Sequence, residues 1–443
     1  MYSILKLSRP FIMPLSPSRR HIMTTRDTLF NRDQKVTFTC DEEPIPLGVA
    51  QGFGYFPVTL GQTFLQARYE IKRKLGWGTS SVVYLAQGKR FEERFVALKL
   101  LSAYQTSITS EGLVAEREIM EKITSTNKIH QGYQHVTHLL HSFTAESKHG
   151  KHTILATDVL GSDLQSLQRA QPSRRFTLTT TKRTVKQVLL SLDYVHAECG
   201  VVHTDLKPDN LMVDLGHQEM AIRKLLDDNP SRTYPPRIAP YISSDPILTI
   251  VSQPLPNLGL RADYNNLKIK LSDFGESTWK DKHRMGQDIS PVGLRAPEVV
   301  LGLPWSTPVD IWALGCLVFE FMTAAPLFTP VSGPTFTEEQ NLVAKYIMNT
   351  GQPFTTSMLR KWKRAEMYFD RKIYGAVGVD VIYEVRGIAF RVGSLEEALQ
   401  NYKICSEEET KDTARFIRRC LAFDPDERAT AAELLEDRWL DSV

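Results

Sequence analysis

Asp205, Lys207 and Asn210 bring a carboxylate, an ammonium and a carboxamide onto one short run, His203-Thr204-Asp205-Leu206-Lys207-Pro208-Asp209-Asn210. Such a set suits movement of a phosphoryl group. The acid can orient the proton of an attacking hydroxyl, a role worth roughly 10²–10⁴-fold. The ammonium can offset charge on the moving oxygens, and the amide oxygen can hold a divalent cation. A helix cap would account for Asp205 alone and leave Lys207 and Asn210 unexplained. Asp273, in Ser272-Asp273-Phe274-Gly275, offers a second carboxylate for the cation. Far upstream, Gly76-Trp77-Gly78-Thr79-Ser80-Ser81-Val82-Val83 is a turn whose glycines let backbone N–H groups approach phosphate oxygens. It is not a Walker A loop, because no Gly-Lys-Ser/Thr follows.

These groups need rigid elements to hold them. Tyr69–Leu75 and Val82–Ala86 read as two strands joined by the glycine turn, and Phe95–Leu100 as a third, carrying Lys99. Apolar positions at Leu113, Val114, Ile119, Met120 and Ile123 predict one amphipathic helix over 111–124. Another strand is expected over His152–Val159, and beyond it the chain reads as helical, as at 181–198, 308–323, 337–349 and 410–421. Leu267–Leu271 reads as the strand leading to Asp273. Residues 214–266 break the rhythm with Pro235-Pro236, Pro240, Pro246, Pro254 and Pro256. A loop that long is either functional or disordered, so it reads as a mobile insert with a short ordered piece near Ile247–Val251.

Composition excludes several classes. The net charge of +3 over 443 residues is too small to argue for nucleic acid, and no basic–aromatic platform appears. Cys40, Cys199, Cys316, Cys405 and Cys420 are odd in number, without a C-x-x-C pair, and read as reduced thiols. No apolar run approaches the roughly 20 residues of a membrane span. The first 26 residues, with Lys6, Arg9, Arg19, Arg20 and Arg26, have the composition of a mitochondrial transit peptide. Pro10, Pro14 and Pro17 argue against its helix, so a disordered basic tail is expected.

Taken in order, the motifs resemble those of protein kinases. His203–Asn210 matches their catalytic loop with Thr204 in place of arginine, and Asp273-Phe274-Gly275 matches their magnesium motif. Val96-Ala97-Leu98-Lys99 matches the strand whose lysine contacts the α- and β-phosphates. The resemblance implies an α+β, two-lobed fold with a small β-rich N-lobe and a large helical C-lobe. It implies a kinase domain over 69–440, after an arm at 1–68, with an N-lobe at 69–157 and a C-lobe from 161. The substrates implied are ATP with Mg2+ and protein serine or threonine hydroxyls. Asp205 and Lys207 would be catalytic, and Asn210 and Asp273 the metal ligands. Leu75, Gly76, Gly78, Val83, Ala97 and Lys99 would line the nucleotide with Asp158 and Leu160 of the hinge. Thr157 would guard the back of that pocket. The acid paired with Lys99 lies on the following helix, where Glu116 and Glu118 both occur. We assign Glu118, which precedes Ile119-Met120. Ala296-Pro297-Glu298, with Arg428 as partner to Glu298, and Asp310 as brace of the catalytic loop complete the pattern.

Finer detail is similar to the SR-protein kinases, which phosphorylate arginine/serine-rich splicing factors. The shared features are Gly54-Tyr55-Phe56-Pro57-Val58 with Leu60-Gly61, Leu75-Gly76-Trp77-Gly78 with Ser81, and His203-Thr204-Asp205. Trp279 with Lys282-His283, Leu327-Phe328 with Ser332-Gly333 and the long spacer before Asp273 also fit. The family's large-lobe groove is acidic, whereas here Thr323–Phe328 carries no acid, none follows until Glu338-Glu339, and Arg360, Lys361, Lys363 and Arg364 come next. Pro291-Val292-Gly293-Leu294-Arg295 also departs from the family's sequence. Substrates outside the Arg-Ser class, or a pseudokinase scaffold, are the competing readings. Thr204 removes the buried arginine that would need a phosphorylated partner, and Ser277, Thr278 and Ser290 are the hydroxyls between Asp273 and Glu298. Constitutive activity is therefore expected, from a monomer of the cytoplasm and nucleus.

Overall fold

The alternating pattern that begins at Tyr69 builds a six-stranded antiparallel sheet. Its strands are β1 (Thr63–Phe64), β2 (Tyr69–Trp77), β3 (Ser81–Gly88), β4 (Phe95–Leu101), β5 (Leu139–Ser147) and β6 (Gly150–Thr157). They lie in the order β1-β2-β3-β4-β6-β5. The computed structural model describes residues 42–88, 94–110, 115–238, 243–282, 289–354, 359, 365–372, 382–388, 391–441 and 443, with short pairings at Phe30–Asn31 and Gln34–Lys35. The basic run 1–26, Cys40, Leu113, Val114, His283 and the basic group at 360–364 lie outside the described residues.

Successive side chains of a strand point to opposite faces. On one face Tyr69, Ile71, Val82, Tyr84, Val96, Leu98 and Leu100 form a core together with Tyr55, Phe56 and Val58 of the preceding arm. Val83 and Lys99, opposite each other in register, alternate to the other face. The expected helix over 111–124 is in fact α2 (Glu116–Ser125), preceded by the separate α1 (Ala103–Ser110). Ile119, Met120 and Ile123 of α2 are buried.

The large lobe is helical. α4 (Leu178–Asp193), following α3 (Leu164–Arg169), opens on Thr177, whose side chain accepts from Thr180 N–H. It buries Val185, Val188, Leu189 and Leu192. α6 (Pro308–Thr323) is apolar almost all round, the mark of a central helix. α7 (Glu338–Thr350), α8 (Leu395–Gln400), α9 (Glu407–Cys420) and α10 (Ala431–Leu435) surround it. Glu298 and Arg428 form a fully buried bidentate pair at 2.6 and 2.9 Å. Cys199, Cys316, Cys405 and Cys420 are free thiols.

The insert differs from expectation. Residues 219–228 form the helix α5 (Glu219–Asp228), burying Ile222. Thr233 and Arg237 then bridge back to Ile250 and Ile247 as an antiparallel ribbon, which includes the anticipated piece at Ile247–Val251. Ser252 pairs with Lys74 of β2, and Gln253 N–H donates to the Lys74 carbonyl at 2.9 Å. Asn257 accepts from Ser162 N–H at 2.8 Å. The described part of 214–266 is thus folded against both lobes. Its buried apolar groups, Ile222, Ile247, Ile250 and Leu255, supply the reason.

Candidate active site

The catalytic loop sits between β8 (Val201–Val202) and β9 (Leu211–Asp214), and β9 lies between β7 (Leu160–Asp163) and β10 (Ile269–Leu271). Asp310 of α6 braces the loop. Its carboxylate accepts from the His203 N–H at 2.7 Å and the Thr204 N–H at 2.8 Å, and contacts His196 Nε2 at 2.8 Å. Two buried N–H groups are thereby satisfied by one fixed anion. Thr204 holds φ +68° and Asp273 φ +62°, so both motifs carry non-glycine residues in the left-handed region.

Asp205 Oδ2 accepts from Lys207 Nζ at 2.5 Å and from Asn210 Nδ2 at 3.0 Å. Asp205 Oδ1 is buried without a hydrogen-bond partner. One oxygen is therefore fixed by its neighbours and the other has no partner within the protein. Asn210 Nδ2 also donates to the Asp205 carbonyl at 2.8 Å, which leaves Asn210 Oδ1 buried and unpartnered. An orphaned buried oxygen of this kind is costly unless a cation or water meets it.

Lys99 reaches Asp273 Oδ1 at 2.8 Å and pairs closely with Glu116. Burial lowers the affinity of the Lys99 amine for its proton, but the Asp273 and Glu116 carboxylates outweigh it and hold the ammonium charged. Burial in turn raises Glu116. The assignment of Glu118 is corrected: it is exposed and bonds Arg117 at 2.8 Å. Helix phase is the reason. Glu116 precedes Ile119, Met120 and Ile123 by three, four and seven positions and shares their inward face. Glu116→Gln should lower kcat/KM by about 10- to 100-fold, the range of one charge-assisted hydrogen bond. Glu118→Gln should change it by less than about twofold. Steady-state kinetics on the two variants check this.

Above Lys99, Gly76 lies opposite Val83 at an irregularity of the β2–β3 ladder. A Cβ at Gly76 or Gly78 would meet nothing within 4 Å, so the glycines keep space open rather than permit packing. Ala97 is buried and pairs with Thr157, and Leu75, Val83 and Leu160 are half-buried around the same opening. Any contribution of Asp158 to a nucleotide would come from its backbone. Its carboxylate is turned onto Lys270 at 2.8 Å, His138 at 3.4 Å and Arg94 at 3.2 Å. Burial opposes its ionisation, yet His138 and Lys270 hold it well below the usual carboxylate range.

Phe274 is fully buried, edge-on to His203 at 5.2 Å. Thr204 Oγ1 donates to the Glu276 carbonyl at 2.8 Å, while Ser290 donates to the Thr204 carbonyl and Ser277 to the His203 carbonyl at 3.2 Å. Thr278 is buried in β11 (Thr278–Trp279), paired to β8. Two of the three hydroxyls of this segment thus serve its own architecture, and the third, on Thr278, is buried without a partner.

The donor set fits magnesium with ATP. Asn210 Oδ1 and the Asp273 carboxylate are oxygen ligands, and Mg2+ takes one or two protein ligands with phosphate oxygens and water completing its shell. Bound there, it would offset charge between the β- and γ-phosphates. Lys99 would meet the other phosphates, and Lys207 the oxygens of the moving group.

The family relationships agree with this geometry. Residues 69–234 and 257–440 match the protein kinase domain family, the class that the lobes and the site define. The chain is 30% identical to serine/threonine-protein kinase SRPK of Physarum polycephalum, covering 88% of this chain and 89% of that one. It is 27% identical to protein kinase dsk1 of Schizosaccharomyces pombe over 88% and 84%. With SRSF protein kinase 3 of Mus musculus the identity is 23% over 90% and 91%. The chain belongs to the protein kinases, as a serine/threonine kinase of the SR-protein kinase family.

Proposed function

We propose that this kinase phosphorylates serines flanked by arginine in arginine/serine-rich proteins, acting without prior phosphorylation of itself. The relationship to SRPK and to SRSF protein kinase 3 carries the substrate reading, and the charge around Glu320 is compatible with it. Glu320, near the end of α6, is half-buried and feels the negative charge of Asp209 in the catalytic loop. Burial, then Asp209, pushes Glu320 up to about 7, with Arg169 pulling the other way. A guanidinium from a substrate would act on the Glu320 charge in the same direction as Arg169, favouring its ionised form. The engagement of Ser277 and Ser290 and the burial of Thr278 support activity in the unphosphorylated state.

The pH dependence has a fixed sign. Below about 7 Glu320 is neutral and attracts a guanidinium weakly; above it the carboxylate is charged. KM for an arginine–serine repeat peptide should therefore fall as pH rises through about 7, and in Glu320→Gln that slope should disappear. The assay is radiolabelled transfer from Mg-ATP by bacterially produced enzyme, with the repeat peptide and a non-basic serine protein compared. Transfer only to the non-basic protein would discard the Arg-Ser reading. Silence until an upstream kinase is added would discard intrinsic activity.

A further inference from the structure

We propose that Tyr55, outside the matched kinase domain, is a positioning residue that presents the glycine-turn amides to the nucleotide phosphates. Tyr55 is almost fully buried. Its hydroxyl lies 2.8 Å from the Gly78 carbonyl and 2.8 Å from the Thr79 carbonyl, and donates to both. Its ring packs edge-on against Trp77 at 6.3 Å, between the two glycines of the turn.

The orientation follows from peptide geometry. In a trans peptide the carbonyl of one residue and the N–H of the next point in opposite directions. Turning the Gly78 and Thr79 carbonyls toward Tyr55 therefore turns the Thr79 and Ser80 N–H groups away from it. Tyr55 sits on the sheet face of Val82, Tyr84, Leu98 and Leu100, and Val83 and Lys99 alternate to the other. The two N–H groups thus face the side of the sheet that carries Lys99, where they form a small anion-binding concavity.

The anchor for this hydroxyl is itself fixed. Ala103 N–H donates to the Gly54 carbonyl at 2.8 Å and Tyr104 N–H to the Phe53 carbonyl at 3.2 Å, tying Tyr55's neighbours to α1. Ser102 N–H donates to the Ser80 carbonyl at 2.8 Å, tying the far end of the turn to the same junction. The turn is held in register by the arm before any ligand arrives, which reduces the ordering cost of binding.

Tyr55→Phe removes the hydroxyl and keeps the ring on Trp77. Binding is read by calorimetry with the Mg2+ complex of the β,γ-imido analogue of ATP, and with adenosine, which lacks phosphates. The variant should bind the triphosphate about 3- to 10-fold more weakly, the range of one hydrogen bond, and adenosine with unchanged affinity. KM for ATP should rise by the same factor while KM for peptide stays constant. Tyr84→Phe is the control. Tyr84 is equally buried on the same face and bonds Glu43 instead of the turn, so it should lose stability without altering the triphosphate-to-adenosine ratio. Equal weakening of both ligands in Tyr55→Phe, wild-type affinity for both, or the same ratio change in Tyr84→Phe would overturn the proposal.

Discussion

Asp205→Asn should lower phosphotransfer by about 10²–10⁴-fold while Mg-ATP affinity remains that of the wild type. Asp205 Oδ2 is occupied by Lys207 and Asn210, and Oδ1 is the buried atom left for a substrate proton. Asparagine preserves the shape of the side chain but removes the negative charge that orients the hydroxyl. The nucleotide would lie against Lys99, Asp273 and the glycine turn, and an asparagine at 205 still offers Asn210 Nδ2 an amide oxygen, so the metal ligand stays in place. Single-turnover transfer measured beside equilibrium nucleotide binding separates the two effects. Weakened nucleotide binding with little change in the chemical step would remove Asp205 from the reacting centre.

The largest effect on stability should come from Arg428→Ala, at about 3–5 kcal/mol. Arg428 donates to both oxygens of Glu298, to the Pro308 carbonyl at 2.8 Å and to the Ala422 carbonyl at 3.0 Å. It also lies over the Trp312 ring at 5.2 Å. Both charged side chains are without solvent contact. Removing the cation strands a carboxylate in the core and leaves two carbonyls unmet. The cost lies in the stranding more than in the lost attraction, so replacing Arg428 and Glu298 together by Met and Leu should cost less than Arg428→Ala. Urea midpoints of the three proteins test that order, and a double variant weaker than the single one would contradict it.

Much of the site was legible because its chemistry is contiguous in sequence. Asp205, Lys207 and Asn210 fall within six consecutive positions, and a helix cap, the competing use, explains Asp205 alone. Lys99 was legible from its strand, Asp310 from its helix and Glu298 from the Ala296-Pro297-Glu298 motif. Glu116 was legible too, but only through helix phase. Its spacing to Ile119, Met120 and Ile123 places it on the buried face, whereas adjacency to Ile119 suggested Glu118. The insert was misread for a different reason. Its prolines dominate composition, while the isoleucines that dock it are spread too widely to form a periodic run. Tyr55 carries no catalytic signature at all. It acts through two backbone carbonyls 23 and 24 residues away, and backbone partners leave no trace in side-chain patterns.

The arm has a consequence for where the enzyme starts as a physical object. Lys74 is fully buried, and its ammonium is met by Glu42 at 2.9 Å and by Glu43, both also buried. Glu42 in turn accepts from Ser252 N–H at 2.7 Å and Ser252 Oγ at 2.6 Å. A fragment cut at Tyr69, where the kinase match begins, would expose the Lys74 end of the sheet and remove the Glu42 link between the insert and β2. It would also free the glycine turn from Tyr55. The boundary of the recognisable domain and the boundary of the packed structure are different lines, and the second includes Glu42.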